Sequence, residues 1–101
     1  MAKIYISGPI TGIDDYKKRF AEAEELVKSL HAEPVNPANN PEGLTYREYI
    51  DIGMKQLMAC DMICTLPGWQ DSTGAYLEHR YAQAVGMPVL HTRRKNGNLI
   101  F

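Results

Sequence analysis

Asp61-Met62-Ile63-Cys64-Thr65-Leu66-Pro67-Gly68, running on through Trp69-Gln70-Asp71-Ser72 into Thr73-Gly74-Ala75-Tyr76-Leu77-Glu78, reads as a strand, a stop and the mouth of a helix. The apolar run Met62 to Leu66 has the length of a buried strand, and Pro67-Gly68 punctuates it. The helix is expected from about Thr73 to Val85, with Gly86 as its C-terminal stop. Upstream, Lys3-Ile4-Tyr5-Ile6-Ser7 forms another short buried strand, ended by Gly8-Pro9. A first helix should start near Asp14 or Asp15, which suit a helix N-terminus. Its apolar residues Tyr16, Phe20, Ala23, Val27 and Leu30 recur at intervals of 4, 3, 4 and 3, a single helical stripe. Lys17, Lys18, Arg19, Glu22, Glu24, Glu25 and Lys28 make up the solvated face.

Between these units, Pro34-Val35-Asn36-Pro37 can hold only a short strand, because proline lacks a ladder donor. Ala38 to Leu44 reads as loop. Thr45 and Glu48 have the spacing of a capping box and should open a second helix, with Tyr46, Tyr49 or Ile50, Gly53 or Met54, Leu57 and Cys60 on its apolar side. Pro88-Val89-Leu90-His91 is a further strand, and Asn96-Gly97 signals a turn before Leu99-Ile100-Phe101. Strand and helix thus alternate three times, the pattern of an α/β fold with a parallel sheet. The expected architecture is a flavodoxin-like three-layer sandwich with a small parallel sheet of four to five strands. In it, ligands sit beyond the carboxyl ends of the strands, where the loops Ser7 to Ile13, Asn36 to Leu44 and Pro67 to Gly74 should converge.

With 101 residues, 45% of them hydrophobic and 23% charged, residues 1–101 fit one globular domain. A net charge of −1 gives no electrostatic reason to expect a nucleic-acid polymer or an anionic membrane as partner. No apolar run reaches the ~18–20 residues that span a bilayer, and the N-terminus loses its apolar character too early for a secretory leader. A cytoplasmic setting is the expectation, in which Cys60 and Cys64 stay reduced and structural. Two cysteines and the histidines His31, His79 and His91 lack the paired spacing of a four-ligand zinc site, so neither metal nor cofactor is expected.

The chemistry concentrates in the third helix. Ala75, Glu78, Ala82 and Val85 are spaced 3, 4 and 3 and share one face, which puts Glu78 on a core-facing stripe near the strand carboxyl ends. A buried carboxylate is costly without hydrogen-bond partners, and such groups concentrate in active-site clefts; pairing with Arg80 or His79 at the rim is the plain structural alternative. Gly8-Pro9-Ile10-Thr11-Gly12 can bring backbone N–H groups close to an anion, although a tight strand-to-helix turn explains it equally well. Asp71-Ser72-Thr73-Gly74 adds hydroxyls and amides at a helix mouth, which as a cap needs no function. Trp69 can stack on a planar ligand at the crevice or pack against its own domain or a partner.

These segments, Lys3 to Pro9, Asp61 to Leu66, Asp71 to Ala82 and Gly86 to Val89, resemble the nucleoside 2-deoxyribosyltransferase superfamily in order and spacing across residues 3 to 90. The resemblance is closest to small bacterial and phage domains of that superfamily. It implies cleavage or transfer at the N-glycosidic bond of a nucleoside or nucleotide, with Glu78 as nucleophile and Tyr5 orienting it. Such a reaction passes through an oxocarbenium-like centre that a carboxylate can stabilise or capture. Within the superfamily, transferases of free nucleosides carry aspartate six residues before the nucleophile. 2'-Deoxynucleoside 5'-phosphate N-hydrolases carry serine there, with glycine two residues on, and Ser72 and Gly74 match that pattern. The resemblance therefore implies a 5'-monophosphate held by Ser72, Gly74 and the loop of Ser7, Gly8, Pro9, Ile10, Thr11 and Gly12, with Asp71 and Trp69 nearby. It also implies a homodimer.

The chain departs from the superfamily in two places. The aspartate usual in the second helix falls at Gly53, and Asp51, roughly 200° around the helix, is the nearest stand-in. His79 follows the nucleophile where glycine is common, and it is expected at the surface. The departures keep a second reading open: a nucleotide-binding module of the same fold without turnover. A small interaction protein with a vestigial crevice is the third.

Overall fold

A computed structural model describes all 101 residues. The chain runs β1 (Lys3–Ser7), α1 (Tyr16–Lys28), β2 (Glu33–Val35), α2 (Tyr46–Met58), β3 (Met62–Thr65), α3 (Thr73–Val85), β4 (Val89–His91), β5 (Arg93–Lys95) and β6 (Asn98–Ile100), with 3-10 turns at Pro37–Asn39 and Trp69–Asp71. β1 to β4 form a parallel sheet in the order β2-β1-β3-β4, and β5 and β6 pair separately as an antiparallel hairpin. The sheet therefore has four strands, and the last apolar segment joins the hairpin that Asn96 and Gly97 turn.

The connection from β1 to β2 runs one way across the sheet, and those from β2 to β3 and β3 to β4 run the other. Right-handed crossovers then place α1 on one face and α2 with α3 on the opposite one. β1 supplies both layers, because successive side chains of a strand alternate. Ile4 and Ile6 pack with Phe20, Ala23 and Val27 of α1, whereas Tyr5 packs with Leu57, Ile63 and Ala82 under α2 and α3. This is the three-layer sandwich of the sequence reading. No helix is long and apolar enough to cross a membrane.

Local signals explain most boundaries. Thr45 Oγ1 accepts from the Glu48 amide and Glu48 Oε1 accepts from the Thr45 amide, completing the capping box of α2. Gly86, in the left-handed region, ends α3. Several details differ from expectation. β2 begins at Glu33 and stops before Asn36, whose side chain caps the 3-10 turn at Pro37–Asn39 inside the expected loop. Asp15 precedes α1 without capping it; its carboxylate pairs with Arg19 instead. Val85 shares the face of Ala75, Glu78 and Ala82, yet in the last turn of α3 it is 54% exposed. Leu30, just past α1, is likewise exposed. Cys60 and Cys64 are free and buried. Burial pushes their thiols up to about 11 and about 12, so neither is a thiolate at neutral pH.

Candidate active site

β1 and β3 diverge in their connections at their carboxyl ends, and there a crevice of about 820 Å³ opens. All three expected loops reach it: Gly8, Pro9, Ile10, Thr11 and Ile13 from the first, Pro37 and Asn40 from the second, and Pro67, Gly68 and Asp71 to Gly74 from the third. The first and third loops touch, since a Cβ on Gly68 would lie 3.4 Å from Pro9 Cγ. Gly8 has to lack a side chain: a Cβ there would meet Leu66 Cβ at 2.7 Å. The loop thereby leaves β1 flat against the end of β3.

Glu78 sits on the crevice floor. It is 9% exposed, and both carboxylate oxygens are held. Tyr5 Oη donates to Oε2 at 2.5 Å and Ser7 Oγ donates to Oε1 at 2.7 Å. Both donors come from β1, two residues apart, so they project on the same face of the strand toward α3. Burial raises the Glu78 proton affinity above the ordinary carboxylate range, and the hydrogen bonds from Tyr5 and Ser7 oppose it. Burial first, then the facing Glu78 charge, holds the Tyr5 hydroxyl well above its usual value, so Tyr5 stays a donor at neutral pH. The result is a carboxylate fixed in direction, with one face toward an open cleft.

α2 closes over this pair at Gly53. A Cβ on Gly53 would lie 2.9 Å from both Glu78 Oε2 and Tyr5 Oη. The expected stand-in, Asp51, is turned outward: it is exposed, faces Arg47 across 3.8 Å and does not line the crevice. From α2 the lining residues are Tyr46, Tyr49 and Ile50.

At the mouth of α3, Ser72 Oγ accepts from the Ala75 amide at 3.3 Å. The amides of Thr73 and Gly74 have no backbone acceptor, nor do those of Ile10, Thr11 and Gly12. Two stretches of open donors therefore border the crevice, and the α3 N-terminus adds its dipole. Of the residues singled out in the sequence, Tyr5, Gly8, Pro9, Ile10, Thr11, Asp71, Ser72, Gly74 and Glu78 line the crevice together. Ser7 lies just beneath, fully buried on Glu78. Gly12 turns the loop at φ +78° without lining the crevice.

Trp69 also lies outside the lining. Its ring is 4.0 Å from that of His79 and 5.6 Å from that of His91, so it packs against its own domain. His79, expected at the surface, is buried beneath it. Burial, then the neighbouring His91 and Arg80, lowers the His79 pKa, which keeps this imidazole neutral at pH 7. Sequence reasoning passed over Arg19, Tyr16 and Phe20, which line the α1 side of the crevice. Their adjacency along one helix edge was the available signal.

Comparison with solved structures bears on the fold. The chain superposes on a 2-deoxyribosyltransferase from Leishmania mexicana with a TM-score of 0.70 and 21% identity, covering 100% of this chain and 79% of that one. A 2-deoxyribosyltransferase from the psychrotolerant bacterium Bacillus psychrosaccharolyticus gives a TM-score of 0.67 and 19% identity over 89% and 71% of the two chains. The CMP N-glycosidase BcmB of Clostridium botulinum gives 0.62 and 16% over 88% and 69%. At these identities the likeness establishes a shared fold. A search of curated protein sequences gives no match. A family model described as "Domain of unknown function (DUF4406)" matches residues 2–91, and the chain belongs to that family.

Proposed function

We propose that this protein cleaves or transfers the N-glycosidic bond of a nucleoside or nucleoside 5'-monophosphate, with Glu78 as nucleophile. One observation carries the proposal: a buried carboxylate, clamped by Tyr5 Oη and Ser7 Oγ, faces an open crevice bordered by unpaired amides. As the bond to the base breaks, positive charge grows at the anomeric carbon, and Glu78 either shields it or bonds to it covalently. The base departs with the bonding electron pair and is protonated from water, and water or a second base then attacks the anomeric carbon as its bond to Glu78 breaks. Tyr5 and Ser7 keep the carboxylate aimed and ionisable against the pull of burial. The names of the structural neighbours, two deoxyribosyltransferases and a CMP N-glycosidase, support the same bond type. The exposed apolar side chains Tyr46 and Met58 of α2 and Leu77 and Val85 of α3 support a homodimer within this reading.

The test is free-base release, followed chromatographically, from a panel of deoxynucleosides and their 5'-monophosphates. Release by the native protein and its loss in Glu78→Ala and Glu78→Gln, both folded, is the expected result. A second reading, nucleotide binding without turnover, is favoured by one feature: α2 brings no acid to the crevice to protonate a leaving base, since Gly53 has no side chain and Asp51 points away. Tight binding with no product after long incubation selects it.

A further inference from the structure

A nucleoside 5'-monophosphate brings a phosphate dianion into a crevice that already holds two carboxylates. Among the lining residues the acidic ones are Asp71 and Glu78, and Arg19 is the one lysine or arginine. Open amides can cradle the phosphate oxygens, but in the field of Asp71 and Glu78 they do not balance its charge.

The place of Arg19 fits this need. It rises from the first turn of α1 and, with Pro9, Leu66, Pro67 and Arg94, also lines a side cavity of about 30 Å³. Arg19 thus borders both cavities together with Pro9 and Pro67, which belong to the two amide-rich loops. Asp15 Oδ1 holds Arg19 Nε at 2.9 Å across one helical turn, and that is the only ion pair the side chain makes. Nε faces Asp15, while Nη1 and Nη2 make no ion pair, which leaves free the edge of the fork that matches two phosphate oxygens. Arg94, the other arginine in the side cavity, is already committed: its Nη1 and Nη2 lie 2.6 and 3.0 Å from the two Glu22 oxygens.

We propose that Arg19 is the phosphate-recognition residue of this site, making it select nucleoside 5'-monophosphates over nucleosides, with the guanidinium meeting the phosphate between the Gly8–Gly12 loop and the mouth of α3. This rests on the nucleotide reading of the crevice.

The test is calorimetric binding of dAMP, dCMP, dGMP and dTMP, and of the four matching deoxynucleosides, to the native protein and to Arg19→Ala, Arg19→Lys and Arg94→Ala. The native protein should bind at least one monophosphate more tightly than its nucleoside. In Arg19→Ala that preference should fall about 10–100-fold, the range of a charge-assisted hydrogen-bonded pair. Arg19→Lys should recover part of it, and Arg94→Ala should retain it. A preference unchanged in Arg19→Ala overturns the role of Arg19 and leaves the nucleotide reading standing. Equal losses for nucleoside and monophosphate also overturn it, by showing a structural effect. A native protein that binds nucleosides without favouring monophosphates refutes the inference alone. One that binds neither refutes the nucleotide reading beneath it.

Discussion

Replacing Gly53 by alanine adds one methyl group at the point where α2 crosses the Glu78–Tyr5 pair. That carbon would sit 2.9 Å from Glu78 Oε2 and 2.9 Å from Tyr5 Oη, about 0.5 Å inside ordinary contact for each, and such overpacking is costly. Neither neighbour can easily yield. Tyr5 is 1% and Glu78 9% exposed, and the two oxygens are already 2.5 Å apart. Relief requires α2 to lift or the carboxylate to leave its donor. Overpacking of this kind costs about 1–3 kcal/mol, and a strained charged hydrogen bond adds to it. Alanine in a helix interior returns about 1 kcal/mol over glycine. The net expectation is a loss of about 1–2 kcal/mol, which at about 4–8 °C per kcal/mol for a domain of this size lowers Tm by roughly 5–15 °C. In a Tyr5→Phe/Glu78→Ala background both oxygens are gone, and the same substitution should stabilise by about 1 kcal/mol. Thermal melts and urea titrations of the four proteins measure the cycle. A rise in Tm on Gly53→Ala in the native background, or the same sign in both backgrounds, would refute the reasoning.

Two further predictions concern protonation at the same carboxylate. Glu78 binds its proton more tightly folded than unfolded, because burial raises its pKa above 4.5. Its contribution to stability is therefore complete below that value and is lost as pH rises through the raised folded value. Glu78→Gln lacks that loss, so its stability relative to the native protein should grow above pH 4.5 by up to about 1.4 kcal/mol per pH unit and then level; a difference independent of pH in urea titrations contradicts this. Tyr5→Phe removes a hydrogen bond that favours the ionised carboxylate, so the acid limb of kcat/KM should move to higher pH, and a limb that stays put or moves down counts against Tyr5 as its stabiliser.

Much of the fold was readable because its signals are local. Thr45 and Glu48 cap α2 by spacing alone, Gly86 stops α3, and the apolar runs of β1 and β3 are too short for helices. Glu78 was legible as a polar residue on an apolar stripe. What escaped depends on how far a neighbouring surface extends, which periodicity does not encode. Val85 keeps the phase of the stripe but is exposed at the end of α3. His79 was expected at the surface, and a tryptophan from the preceding 3-10 turn covers it. Asp51 and Gly53 differ by two residues in sequence and by opposite sides of α2 in space. Arg19 sat in a run of charges with every mark of a solvated face, and it is the one member of that run beside the crevice.

The alternation along β1 has a consequence for how such a domain can change over time. Ile4 and Ile6 hold one layer while Tyr5 and Ser7 clamp the carboxylate in the other, so structure and chemistry are written on the same five residues. A one-residue slip in that strand would exchange the two sets and destroy both. The crevice rim beyond Gly8, by contrast, is built from loops that can lengthen or exchange side chains without disturbing the clamp. A scaffold divided this way can explore new ligands by rim replacement alone, and loop-swapped libraries on this chain should keep their fold far more often than libraries that touch residues 4 to 7.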